Sequence, residues 1–97
     1  MIPPPALKKG YVYLLRSLKN GRFYLGWTTD IECRLNEHNS GKGTYTKFRG
    51  PWELVLYETY DNVEAAKERE RILKHCSRML NLFKKRALIS LERQVVG

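Results

Sequence analysis

The chain has 97 residues, with 18 Lys and Arg against 10 Asp and Glu, so its net charge is +8. That length suits one domain with a modest core and excludes two, while 42% hydrophobic and 11% aromatic content exclude a disordered chain. The positive field suits a polyanion such as nucleic acid, and the apolar runs are too short for a membrane partner.

Residues 1–9 hold three consecutive prolines, which bar a helix or a central strand, and are expected to form a flexible arm. The expected domain covers residues 10–92, with 93–97 as a tail. Residues 11–17 and 23–28 are rich in Tyr, Val, Leu, Phe and Trp around Asn20-Gly21. Asn-Gly favours a type I′ turn, which predicts an antiparallel hairpin. Centred there, the turn pairs residues whose numbers sum to 41, setting Tyr24 opposite Ser17 and Thr28 opposite Tyr13. Alternation puts Tyr11, Tyr13, Tyr24 and Gly26 on one face of the hairpin. Val12, Leu14, Leu18, Phe23 and Leu25 fall on the other, against a helix.

Asp30 is a good N-cap for a helix from Ile31 to about Asn39, closed by Ser40-Gly41. Ile31, Arg34, Leu35 and His38 fall within one helical face about 100° wide. The loop 41–52 carries Lys42, Lys47 and Arg49, and 53–60 reads as a third strand. Asp61 or Asn62 caps a second helix to about His75, and Ser77 caps a third to about Leu91. In the third helix Leu80, Phe83, Ala87 and Leu91 make a core stripe. Lys84, Lys85 and Arg86 make a basic block that suits a solvated face as well as a phosphate backbone.

Cys33 and Cys76, 43 residues apart, offer no zinc spacing. No secretory signal precedes them, so they read as free thiols in a reducing, cytoplasmic compartment.

Three groups invite chemistry. Arg34 and His38 share a face that looks at the sheet, where a guanidinium needs an anionic partner. Arg34 either snorkels to solvent beside a boundary histidine, or binds a phosphate while His38 handles a proton. Glu70 lies on or beside the inward face of the second helix, four residues after Ala66 and three before Leu73. It is either half of an i,i+4 pair with Lys74 or a carboxylate for Mg²⁺, which keeps most of its waters. Tyr13 and Tyr24 are ordinary strand residues unless a nearby cation favours a phenolate. Gly26 would admit a backbone or a phosphate. Walker-type loops and HExxH are absent from the sequence, and no Ser-His-Asp set has a believable placement.

Taken in order, these residues resemble the GIY-YIG nuclease family. Tyr11-Val12-Tyr13 is followed after ten residues by Tyr24-Leu25-Gly26, then by Arg34-x-x-x-His38. Thr44-Tyr45-Thr46-Lys47, Pro51-Trp52-Glu53-Leu54-Val55 and Glu64-Ala65-Ala66, leading to Glu70 and Lys74, continue the likeness over about residues 10–91. It is nearest the small single-domain bacterial, UPF0213-like members. Tyr-Val-Tyr replaces Gly-Ile-Tyr, Trp27 stands where some members carry a lysine, and Asn81 lies where some use an asparagine.

The resemblance implies an α+β fold, a small three-stranded antiparallel sheet flanked by helices in the order β-β-α-β-α-α. It also implies a phosphodiesterase site whose catalytic residues are Tyr13, Tyr24, Arg34, His38 and Glu70. Glu70 would hold one divalent ion, Mg²⁺ or Mn²⁺. Tyr13 or Tyr24 would activate or position a water, Arg34 would stabilise the pentavalent phosphorane, and His38 would assist proton traffic. Gly26, Lys42, Lys47, Arg49 and Lys74 are the expected nucleic-acid contacts, with DNA preferred to RNA. Three functions fit: a metal-dependent DNA endonuclease, selective for branched, nicked or single-stranded structure; a non-catalytic nucleic-acid-binding module; or a nuclease subunit targeted by a protein partner.

Overall fold

In the computed structural model, which describes residues 8–43 and 45–95, the hairpin forms from β1 (Gly10–Ser17) and β2 (Phe23–Thr28). The expected arm lies outside the described residues except for Lys8 and Lys9, as does Thr44.

The turn corrects the expected register. The Ser17 side chain closes the loop from within, its Oγ accepting from the backbone N–H of Lys19 at 3.1 Å and of Asn20 at 3.2 Å. The Gly21 N–H donates to the Ser17 carbonyl at 2.9 Å. Gly21 takes a left-handed φ of 75° and Asn20 does not, so a four-residue loop replaces the two-residue turn. Tyr13 therefore pairs with Gly26 and Leu15 with Tyr24. The slip is two residues, and because side chains alternate with period two every strand residue keeps its expected face. Leu18 is the exception, sitting in the loop at 60% exposure.

β3 (Trp52–Tyr60) pairs antiparallel with β1, giving the strand order β2-β1-β3. Its register breaks where Leu14 faces Leu56 but Leu15 faces Leu54. That bulge leaves Val55 as the extra residue and reverses which side chains face which way. Val55 and Leu56 join the cluster under two helices, while Leu54 and Trp52 turn to the opposite face.

α1 (Ile31–Asn39) covers that opposite face, with Leu35 against Tyr13, Leu15 and Trp52. Asp30 caps it, Oδ1 accepting from the Cys33 N–H at 3.0 Å. α2 (Val63–His75) and α3 (Ser77–Val95) cover the other face. Asn62, not Asp61, caps α2, accepting from the Ala65 N–H at 2.8 Å. Ser77 is already helical, with the Cys76 carbonyl accepting from Leu80 at 3.0 Å. α3 then continues past the expected end near Leu91 to Val95. Val12, Leu14, Leu25, Ala66, Leu73, Phe83 and Ala87 form the main core, with Leu80 and Leu91 packed on it.

Glu58 fastens this layer: it accepts from Tyr60 Oη at 2.8 Å, Arg69 Nε at 3.0 Å and Arg86 at 3.1 Å. Burial alone would raise its pKa, but these bonds hold the carboxyl below its ordinary value. Cys33 and Cys76 are free thiols. Among the described residues no helix is long and apolar enough to cross a membrane.

Candidate active site

The face between the sheet and α1 carries an aromatic cluster centred on His38. α1 points His38 inward, leaving it 3% exposed. The Tyr13 hydroxyl lies 2.9 Å from His38 Nε2, and Thr46 Oγ1 lies 2.7 Å from Nδ1. With the phenol donating to Nε2, the neutral ring carries its proton on Nδ1 and donates to Thr46. Tyr24 stands edge-on to His38, ring centres 5.0 Å apart, and its ring centre is 6.5 Å from that of Tyr13.

Burial keeps both partners neutral. It pushes the Tyr13 phenol up to about 12, with Tyr24 and Glu70 adding to the effect and Arg34 opposing it. Burial also lowers the His38 pKa below its ordinary value; the Arg34 charge lowers it further and Glu37 opposes. Tyr13 and His38 thus form an uncharged, hydrogen-bonded pair at neutral pH.

The loop that supplies Thr46 is pinned from two sides. The indole N–H of Trp52 donates to the Thr46 carbonyl at 3.1 Å. Asn39, at the end of α1, accepts from the Trp52 backbone N–H at 2.7 Å and donates to the Trp52 carbonyl at 3.1 Å. Tyr45 from the same loop stacks on Tyr24, centres 5.6 Å apart.

Arg34 stands at the mouth of the site, 43% exposed, and donates to Glu37 at 2.9 Å. That bond holds the Glu37 carboxyl below its usual value, with Cys33 and Lys42 contributing. Arg34 also approaches the Tyr13 phenol, whose interaction is the largest cause raising the guanidinium pKa, and its remaining donors are left for an anion. Glu70 enters from α2 on the far side of the sheet. Its side chain is 17% exposed and pairs with Lys74 at 3.3 Å, yet its charge reaches the Tyr13 phenol.

The expected close approach at Gly26 is made by the Tyr13 ring: a β-carbon there would lie 2.6 Å from Tyr13 Cζ. Lys42, Lys47 and Arg49 are exposed in the loop. Lys47 sits over the Phe48 ring at 5.1 Å and Arg49 over the Tyr45 ring at 4.6 Å. Tyr13, Tyr24 and His38 are therefore brought together, with Arg34 at the rim. Glu37 had no role in the sequence reading, and Thr46 entered it only within the likeness over residues 44–47. The spacing of Glu37 from Arg34, three residues on one helix, was the signal available for it.

No group of three or more His, Cys, Asp or Glu side chains that could hold a metal occurs among the described residues. One half-sheltered carboxylate does not suit zinc, which wants several protein ligands. It does fit a hard, largely hydrated ion.

A small α+β domain with this tyrosine–histidine cluster falls in a known class: the model of the GIY-YIG catalytic domain matches residues 9–94. UPF0213 protein BH0048 of Halalkalibacterium halodurans is 43% identical over 83 residues, 84% of this chain and 83% of that one. UPF0213 protein SpyM3_1077 of Streptococcus pyogenes serotype M3 is 44% identical over 68 residues, 69% of this chain and 73% of that one. The solution NMR structure of BH0048 aligns with a TM-score of 0.47 at 43% identity, covering 86% of this chain and 84% of that one. The chain belongs to the GIY-YIG family, among its UPF0213 proteins.

Proposed function

We propose that the protein is a divalent-metal-dependent endonuclease that hydrolyses phosphodiester bonds in DNA, acting in the cytoplasm. The observation that carries this reading is the buried Tyr13–His38 pair, 2.9 Å apart, opening toward a half-exposed arginine in a catalytic-domain family. A binding module has no need to bury a neutral imidazole against a phenol and a threonine.

The roles follow from the surroundings of each group. Arg34 clamps a non-bridging oxygen and stabilises the charge that grows as the phosphorus becomes five-coordinate. Tyr13, protonated at rest, acts as base by passing its proton to His38 Nε2 as the attacking water transfers one to the phenol oxygen. Thr46 holds the imidazole for that exchange. Tyr24, at the open side of the cluster, positions the water. Glu70 is the residue that would hold one Mg²⁺ or Mn²⁺, which when bound polarises a phosphate oxygen. Lys42, Lys47 and Arg49 draw in the nucleic-acid backbone.

The test is cleavage of labelled single-stranded, duplex and branched DNA and RNA by the purified chain, in Mg²⁺, Mn²⁺ or EDTA. Metal-dependent cutting is expected, abolished by Arg34→Ala and by Glu70→Ala. Binding without cutting, unchanged in Glu70→Ala, would sink the enzyme reading for this chain.

A further inference from the structure

Phe48 has no part in the proposed reaction, and the fold presents it in an unusual way. It is 83% exposed and takes a left-handed φ of 66°, the one non-glycine to do so among the described residues. Glycine would hold that backbone at lower cost. The phenyl ring also gains almost no burial there. Packing therefore does not account for a phenylalanine at this position.

Its surroundings say what the ring suits. Lys47 Nζ lies 5.1 Å from the ring centre, Lys19 Nζ approaches the Phe48 carbonyl at 3.4 Å, and Arg49 follows in the chain. An apolar pocket on a protein partner would have to strip water from these cations. A nucleic-acid backbone would neutralise them and bring a base to the ring. Phe48 also lines one cavity with His38, Thr46, Lys47, Gly50 and Pro51, so a base on the ring enters a cavity that reaches His38 and Thr46. Tyr45, by contrast, is already engaged by Tyr24 at 5.6 Å and Arg49 at 4.6 Å.

We propose that Phe48 is a stacking platform for an unpaired nucleobase beside the scissile phosphate, making the substrate a nucleic acid with a single-stranded segment at the cut. The location "at the cut" rests on the nuclease reading; the stacking itself does not. A base inside an intact duplex has both faces covered by its neighbours and cannot use the ring. Stacking reads the base face common to all four bases, so the platform is tolerant of sequence.

The test is fluorescence anisotropy of the full chain in EDTA with three probes of equal length: a thymidine oligonucleotide, a blunt duplex and a gapped duplex. Phe48→Gly suits the left-handed backbone, so its unfolding midpoint should equal or exceed that of the parent. It should bind the single strand and the gapped duplex about tenfold more weakly, while blunt-duplex binding is unchanged. Phe48→Trp should retain all three. Unaltered single-strand affinity in Phe48→Gly would overturn the proposal and leave the ring to a protein partner. Equal loss on blunt duplex would overturn it too, making Phe48 a scaffold for the loop cations. Binding in EDTA is read whether or not the chain cuts, so failure here is distinct from failure of the nuclease reading.

Discussion

The Tyr13 ring occupies the space that a side chain at Gly26 would need, a β-carbon there falling 2.6 Å from Tyr13 Cζ. The two residues are cross-strand partners, so any side chain at position 26 pushes the ring toward or away from His38. Gly26→Ala is expected to cost about 1–3 kcal/mol by overpacking and to lower the cleavage rate more than the fold. Urea unfolding and a cleavage assay on the same variant check this. A variant as active and as stable as the parent would show that the ring has other room.

Thr46 is the buried partner of His38 Nδ1 at 2.7 Å. Thr46→Val keeps the volume and removes the hydroxyl, leaving the ring nitrogen unsatisfied at about 1–3 kcal/mol. Thr46→Ser keeps the bond and should stay near the parent. Nitrogen NMR of the imidazole is the sharper measurement, since the parent should show a single tautomer protonated at Nδ1. Thr46→Val should lose that preference.

Much of this site was legible in the chain. Alternation alone placed Tyr13, Tyr24 and Gly26 on one face, and the 3.6-residue period turned His38 inward. The turn was misread because Asn20-Gly21 invites positive φ at both residues, whereas Ser17 Oγ caps the loop so that Gly21 alone needs it. Trp52 reaches the site face only through the bulge at Val55, and nothing in an apolar run marks where pairing skips a residue. Phe48 was invisible for the opposite reason: local preference argues against a phenylalanine in a left-handed turn.

The buried pair sets two pH windows. The folded-state pKa of His38 lies below its ordinary value. The unfolded chain therefore binds more protons once the pH drops below about 6.5, and stability falls with it. His38→Gln should flatten that slope, while the Glu58 contribution disappears at lower pH, in the carboxylate range. Tyr13 acts at the other end, its pKa raised from 10.0 to about 12. Its contribution is complete below pH 10 and lost as pH rises through 12, roughly 3 kcal/mol in all. Ultraviolet titration should show late tyrosine ionisation, to which Tyr60, raised by burial and by its bond to Glu58, also contributes, and Tyr13→Phe should remove the component near 12.

Glu70 and Lys74 allow the metal reading to be separated from a phosphate contact. Their 3.3 Å pair spans one turn of α2, with Lys74 47% exposed, so it is worth only a few tenths of a kcal/mol. Lys74→Met should leave the unfolding midpoint nearly unchanged. It also removes a cation that competes with Mg²⁺ for the carboxylate, so half-maximal cleavage should need severalfold less metal, with the saturated rate preserved. Glu70→Gln keeps the shape without the charge and should lower the rate about a hundredfold or more at any metal concentration. Rate against Mg²⁺ concentration for the three proteins distinguishes the cases. If Lys74→Met instead weakens substrate binding equally at every metal level, Lys74 contacts the backbone as the sequence suggested, and its pairing with Glu70 does not compete with the ion.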